Sequence, residues 1–132
     1  MLNRGVPLRV LVADDHETIR KGIRSILASR NDLEVCGEAA NGKEAVEKAR
    51  ELKPDLVILD ISMPLGGLKV AKEISELLPS VPILLLSVYE GRTLTPEAKS
   101  AGVMGFVRKD QAGTVLLQAV DAVLQGQTFF PL

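Results

Sequence analysis

Five polar side chains stand where apolar runs end. Asp14 and Asp15 follow LRVLVA (8–13), and Asp60 closes LVILD (56–60). Ser87 closes VPILLLS (81–87), and Lys109 comes two residues after GVMGFV (102–107). Three carboxylates brought into one crevice repel each other and call for a cation. An all-oxygen site of this kind suits Mg2+, which binds one or two carboxylates and keeps several waters. A metal there neutralises charge and orients a transferring phosphoryl group. An Asp carboxylate can be the nucleophile, forming an aspartyl phosphate.

The elements that must position these groups alternate along the chain. Apolar runs at 8–13, 33–39, 56–60, 81–87 and 102–107 read as five strands. Between them lie amphipathic stretches. Ile19, Ile23, Ile26 and Leu27 repeat at helical spacing, and Asn31-Asp32 ends that helix. Ala45, Val46, Ala49 and Leu52 mark a helix over 43–52, stopped by Pro54. Leu68, Ala71, Ile74 and Leu78 carry a third helix after the loop 63–67. The last helix spans 113–124, with Gly126 as its C-terminal cap. Five alternations give a parallel sheet covered by helices on both faces, joined by right-handed crossovers. In the order 2-1-3-4-5, strands one and three are neighbours where the strand order reverses, and ligands bind beyond the carboxyl ends there.

Composition narrows the function classes. The chain of 132 residues fits one domain, taken as 1–132, with 127–132 read as the start of a linker. A net charge of −1 argues against a domain that wraps nucleic acid by charge alone. Cys36 is the one cysteine, so no internal disulfide forms, and it reads as a small buried hydrophobe in a reducing compartment. No apolar run approaches a membrane span, and the N-terminus lacks a signal-peptide core, so a cytoplasmic location is expected.

The constellation resembles the receiver domains of two-component signalling, along nearly the whole chain. The carrying residues are Asp14-Asp15, Asp60 in LVILDISMP, Ser87 in ILLLSVY and Lys109 in GFVRKD. The resemblance implies a flavodoxin-like, doubly wound sheet of five parallel strands in the order 2-1-3-4-5. It implies that Asp60 accepts a phosphoryl group from a sensor histidine kinase with Mg2+, and that the chain is a switch rather than an enzyme. Asp15 would bind the metal directly and Asp14 through water, with Asp60 and the Ser62 backbone carbonyl as further ligands. Lys109 would pair with Asp60 at rest and with a phosphoryl oxygen afterwards. Ser87 would bond another phosphoryl oxygen, and Phe106, at the aromatic switch position, would turn inward as Ser87 moves. DDHETIRKGIRSIL and QGQTFFPL resemble receivers of LuxR-type transcription factors. That implies a DNA-binding output domain beyond this chain, and a homodimer on activation. The alternative is a stand-alone receiver in a phosphorelay or a protein-binding switch.

Each position also has a plainer reading. Asp14 and Asp15 suit a helix cap, and Phe106 a fixed core aromatic. His16 reads as a helical surface histidine, since imidazole substitutes poorly for an oxygen ligand of Mg2+. A phosphohydrolase resembling the haloacid dehalogenases would carry a second Asp two residues after the nucleophile, where this chain has Ser62. The complete acidic set argues against a receiver that no longer takes phosphate.

Three departures from the family pattern carry expectations. The loop ISMPLGGL after Asp60 is one residue short, and Gly66-Gly67 can absorb the shortening. Gly91 and Pro96 interrupt the fourth helix, which shrinks to 96–101 with Thr95 as cap, after an irregular segment. Val88 stands where relatives have a small residue, and narrows access to Asp60. Phosphoryl uptake from acetyl phosphate should therefore be faster in Val88→Ala than in the parent, as followed by intact mass against time; an unchanged rate removes Val88 as the constriction.

Overall fold

The computed structural model describes residues 6–64, 66–88 and 95–130. Five parallel strands alternate with helices: β1 (Leu8–Ala13), α1 (Glu17–Ala28), β2 (Leu33–Ala39), α2 (Gly42–Leu52), β3 (Leu56–Asp60), α3 (Gly67–Leu77), β4 (Ile83–Ser87), α4 (Thr95–Ser100), β5 (Gly105–Arg108) and α5 (Ala112–Leu124). The sheet order is β2-β1-β3-β4-β5. This is the flavodoxin-like, receiver-type arrangement expected.

Every residue of β3 and β4 is buried. That is why both read as unbroken apolar runs rather than alternating ones. Alternate side chains feed two cores. On one face Leu11, Val57, Leu59 and Leu85 pack with Ala45, Ala49, Ala71 and Ile74 of α2 and α3, and with Ala98 of α4. On the other, Val10, Val12, Ile58 and Leu86 pack with Ile23 and Leu27 of α1 and with Leu116, Ala119 and Val120 of α5. Each such aliphatic side chain contributes about 1.5–3 kcal/mol on burial.

Most boundaries fall where sequence patterning puts them, and the exceptions have local causes. Pro82 cannot donate to the sheet; its carbonyl accepts from the Val57 N–H, and β4 starts one residue later. Gly102 and Val103 close α4 instead of opening β5. Gly102 has φ +87, and the Gly102 and Val103 N–H groups donate to Lys99 O and Ala98 O. The same device closes α5, where Gly126 (φ +82) and Gln127 donate to Val123 O and Ala122 O. Helix α4 is short, as Pro96 demands; the irregular segment expected at 91–94 lies outside the described residues. Asp14 and Asp15 do not cap α1: His16 occupies that position, without a side-chain cap bond. Cys36 is half-buried, not fully buried, at an irregularity between Val10 and Leu11 in the pairing of β1 with β2. Burial pushes its thiol up, which keeps it a poor nucleophile.

Residues 127–130 are more than the start of a linker. The Phe129 N–H donates to Met104 O, and the Phe106 N–H donates to Phe129 O, giving a parallel bridge alongside β5. Phe130 packs against one core, and Lys99 Nζ lies 5.2 Å from the centre of its ring.

The loop after Asp60 is tight, and its two glycines have different tasks. Gly66 has φ +83, a left-handed conformation costly to other residues. Gly67 lies so close to Ile61 that a Cβ there would be 2.3 Å from the Ile61 Cα. Gly67→Ala should lower unfolding stability in urea by about 2 kcal/mol. Gly22→Ala, in the open interior of α1 with nothing within 4 Å, should raise it by about 0.5–1 kcal/mol.

Candidate functional site

Strand register brings the five polar groups to one end of the sheet. Ala13 pairs with Leu59, so Asp14 comes level with Asp60 on the neighbouring strand. Asp60 pairs with Leu86, putting Ser87 one step beyond. Ser87 pairs with Arg108, putting Lys109 one step beyond again. Lys109 opens a short 3-10 turn (Lys109–Gln111) that leads into α5.

Asp14, Asp60 and Ser87 are fully buried, although each ends an otherwise apolar strand. Lys109 Nζ reaches between the acids, 2.8 Å from Asp14 Oδ2 and 3.1 Å from Asp60 Oδ2, with its side chain only 8% exposed. On the other side of Asp60, the Ser62 N–H and hydroxyl both donate to Oδ1, at 2.9 and 2.8 Å. Burial pushes the Asp60 carboxyl up. The two Ser62 bonds and the Lys109 ammonium outweigh it, and hold the group below its usual range. Burial likewise pushes the Lys109 ammonium down, and its contacts with Asp14 and Asp60 more than reverse that. Both groups are therefore charged at neutral pH, and Asp60 is an ionised carboxylate.

Asp14 is fixed along its whole length. Its N–H donates to Ala39 O, its carbonyl accepts from Arg20 Nη1 at 2.6 Å, and its Oδ1 accepts from the His16 N–H at 2.8 Å. Arg20 is itself held by Glu38 of β2. Asp15 is more exposed. One donor atom from each of Asp14, Asp15, His16 and Asp60 lies within 4.8 Å of the others. Three carboxylates here face one ammonium. Asp14 Oδ2 and Asp60 Oδ2 are buried and share the single Lys109 ammonium. An oxygen-rich, under-neutralised cluster of this kind fits a hard divalent cation.

The structure thus assembles Asp14, Asp15, Asp60, Ser62 and Lys109, with Ser87 level beside them. Lys109 has one partner more than expected, since it pairs with Asp14 as well as Asp60. Phe106 is buried (4% exposed) in the core shared with Leu85, and by strand alternation it lies on the same sheet face as Ser87. An inward ring is what the fixed-core reading expects, and what the switch reading expects once Ser87 has moved. Val88 is an exposed side chain just past Ser87. Two participants escape a reading of the sequence. One is the Ser62 hydroxyl, since a serine two residues after an Asp can bond back to it. His16 is not on the helix but just ahead of it, turned toward the acids.

Lys109→Met leaves two buried carboxylates facing each other, and should cost about 3 kcal/mol or more at pH 7 in urea unfolding. Asp60, held low, contributes stability that is present above about pH 4 and lost as pH falls through its folded-state value. Lys109, held high, contributes stability that is present below about pH 10 and lost as pH rises through its folded-state value. The gap between variant and parent should therefore be level around neutrality and shrink toward either extreme. A gap independent of pH would mean that packing, not charge, is what Lys109 supplies.

Residues 10–121 match the family model described as "Response regulator receiver domain". The transcriptional regulatory protein LnrK of Bacillus subtilis is 38% identical over 125 residues, 94% of this chain and 57% of that protein. The response regulator GacA of Pseudomonas viridiflava is 37% identical over 123 residues, 92% of this chain and 58% of that protein. The chain thus spans less than two thirds of the length of these relatives. Among solved structures, a LuxR-family two-component response regulator from Aurantimonas sp. SI85-9A1 superposes with a TM-score of 0.88 at 31% identity, covering 94% of this chain and 89% of that one. The response regulator domain of Thermotoga maritima CheB superposes with a TM-score of 0.81 at 34% identity, over 90% and 97% of the two chains. Family match, strand order and acid cluster agree, and the chain belongs to the response regulator receiver domains.

Proposed function

We propose that the chain is a phosphorylation-driven switch that accepts a phosphoryl group on Asp60 from a sensor histidine kinase. The observation that carries this is the state of Asp60. It is buried, ionised, and gripped from one side by Ser62 and from the other by Lys109. An Asp60 oxygen attacks phosphorus; the new O–P bond forms as the donor's bond to phosphorus breaks, and the donor leaves with that electron pair. Asp14, Asp15 and Asp60, with the Ser62 carbonyl, would hold Mg2+. When bound, the metal supplies charge neutralisation and orientation of the phosphoryl group.

Lys109 then exchanges a carboxylate oxygen for a phosphoryl oxygen. It follows directly on β5, so the exchange pulls on the strand that also carries Phe106. Ser87 donates to a second phosphoryl oxygen. Because Phe106 is already inside, the change that Ser87 imposes on this face is a repacking around a buried ring rather than a swing from solvent. The output is proposed as control of a DNA-binding domain beyond residue 132, with a homodimer forming on activation. The support is the matched relatives, which are longer and include one described as a transcriptional regulatory protein. No helix among the described residues is long and apolar enough to cross a membrane. We place the protein in the cytoplasm and describe it as a switch, not an enzyme.

Acetyl phosphate with Mg2+ should add one phosphoryl group to the intact chain. The gain should vanish in Asp60→Asn and with a chelator. Ser87→Ala should still take the group but lose most of the accompanying amide shift changes in β5. Phosphorylation that persists in Asp60→Asn would move the acceptor elsewhere and end this reading.

A further inference from the structure

We propose that His16 is a nitrogen ligand of the metal site, and that it shifts the site's preference from Mg2+ toward transition-row divalent ions. This rests on the reading of the acid cluster as a divalent cation site, and concerns which cation it favours.

The argument begins with where the ring is. His16 stands at the N-cap of α1, but its side chain makes no cap bond. The backbone is instead tied to the acids, with its N–H on Asp14 Oδ1 at 2.8 Å. From there the imidazole Nδ1 lies 3.2 Å from Asp14 Oδ1 and 3.1 Å from Asp15 Oδ1. Among the described residues these two carboxylates are the ring's hydrogen-bond and ion-pair partners. Two ligands on neighbouring corners of an octahedron with bonds of about 2.1 Å are about 3 Å apart. The imidazole nitrogen therefore already stands at ligand–ligand spacing from a donor of each acid. Asp60 contributes a fourth within 4.8 Å. The ring is 63% exposed, so it can adjust to an ion without disturbing the core.

The chemistry of the donor sets the consequence. Mg2+ takes oxygen and holds its water, so an imidazole adds little to its binding. Affinity for nitrogen donors rises along Mn2+, Fe2+, Co2+ and Ni2+. A site with three carboxylates and one imidazole will bind the later ions more tightly than three carboxylates alone. A protonated imidazole that merely pairs with the acids would have the opposite effect on every cation, since the ion would have to displace it.

His16 is the only histidine in the chain, which makes the test unambiguous. Untagged protein is loaded with Mn2+ alone, and pulsed paramagnetic resonance is read for nitrogen coupling from a directly bound imidazole. Ni2+ and Mg2+ affinities are measured by calorimetry in the parent and in His16→Phe, with circular dichroism to confirm that the variant is folded. Expected are a nitrogen coupling that His16→Phe abolishes, and a fall of about tenfold or more in Ni2+ affinity while Mg2+ changes within about twofold. Bound Mn2+ with no nitrogen coupling overturns the proposal and leaves the cation site standing. So does an equal loss for both ions, which would make His16 a group that only orients Asp15. Failure of Mn2+ to bind, or binding that Asp15→Asn and Asp60→Asn leave unchanged, overturns the cation site and this proposal together.

Discussion

The two short contacts of Lys109 with Asp14 and Asp60 are the constraint on which the site depends. Each carboxylate sits at the end of a strand with no exposure to solvent, and an uncompensated buried charge costs several kcal/mol. One ammonium answers both. It comes from the end of β5, with β4 lying between it and β3, so its reach crosses roughly 10 Å of sheet. A long unbranched side chain is therefore required, and its stem covers the carboxyl end of the sheet as it passes. The same geometry ties the ends of β1, β3 and β5 to a single charge balance. Any change of charge at Asp60 is therefore felt at Lys109, and so at the end of β5.

Much of this was legible in the residues. The strand ends at Ala13 and Asp60 were, because parallel strands buried on both faces leave uninterrupted apolar runs that stop abruptly at the first charge. The end of α4 slipped at a glycine. Gly102 looked like the start of a strand because Val103 and Met104 follow it, while its left-handed backbone closes α4. What stayed hidden depended on contacts that have no periodic signature. The return of Phe129 to β5 joins it to residues 23 and 25 positions earlier through two backbone bonds, and TFFPL alone does not distinguish that from a departing tail. His16 was misplaced because an acid pair before a helix suggests a cap. Asp14 instead turns its carboxylate to Lys109 and to the His16 backbone N–H, which leaves the cap position to the histidine.

The loop after Asp60 shows how a missing residue is accommodated. The chain must leave the buried acid, present Ser62, and enter α3 within a few residues. The Gly67 N–H donates to Ile61 O at 3.0 Å, which folds the loop back onto its own origin. Only a residue without a Cβ can approach that closely. Met63 fills the space beneath and is buried. Ser62 is thus held against Asp60 within a loop that closes on its own origin, as well as by its own hydrogen bonds.

The Phe129 bridge has a consequence for how the protein behaves at high concentration. An exposed edge strand offers unpaired N–H and C=O groups on which another molecule's strand can add, the first step toward fibrils. Beside β5 the Phe106 N–H and the Met104 carbonyl are both taken by the chain's own Phe129. At the opposite margin, β2 carries Glu34 and Glu38 and the Cys36 irregularity, which make a poor template. At one margin of the sheet part of the edge is thus taken by the chain's own tail, and at the other charge and a kink make it a poor template, which leaves less open edge for another molecule's strand to pair with.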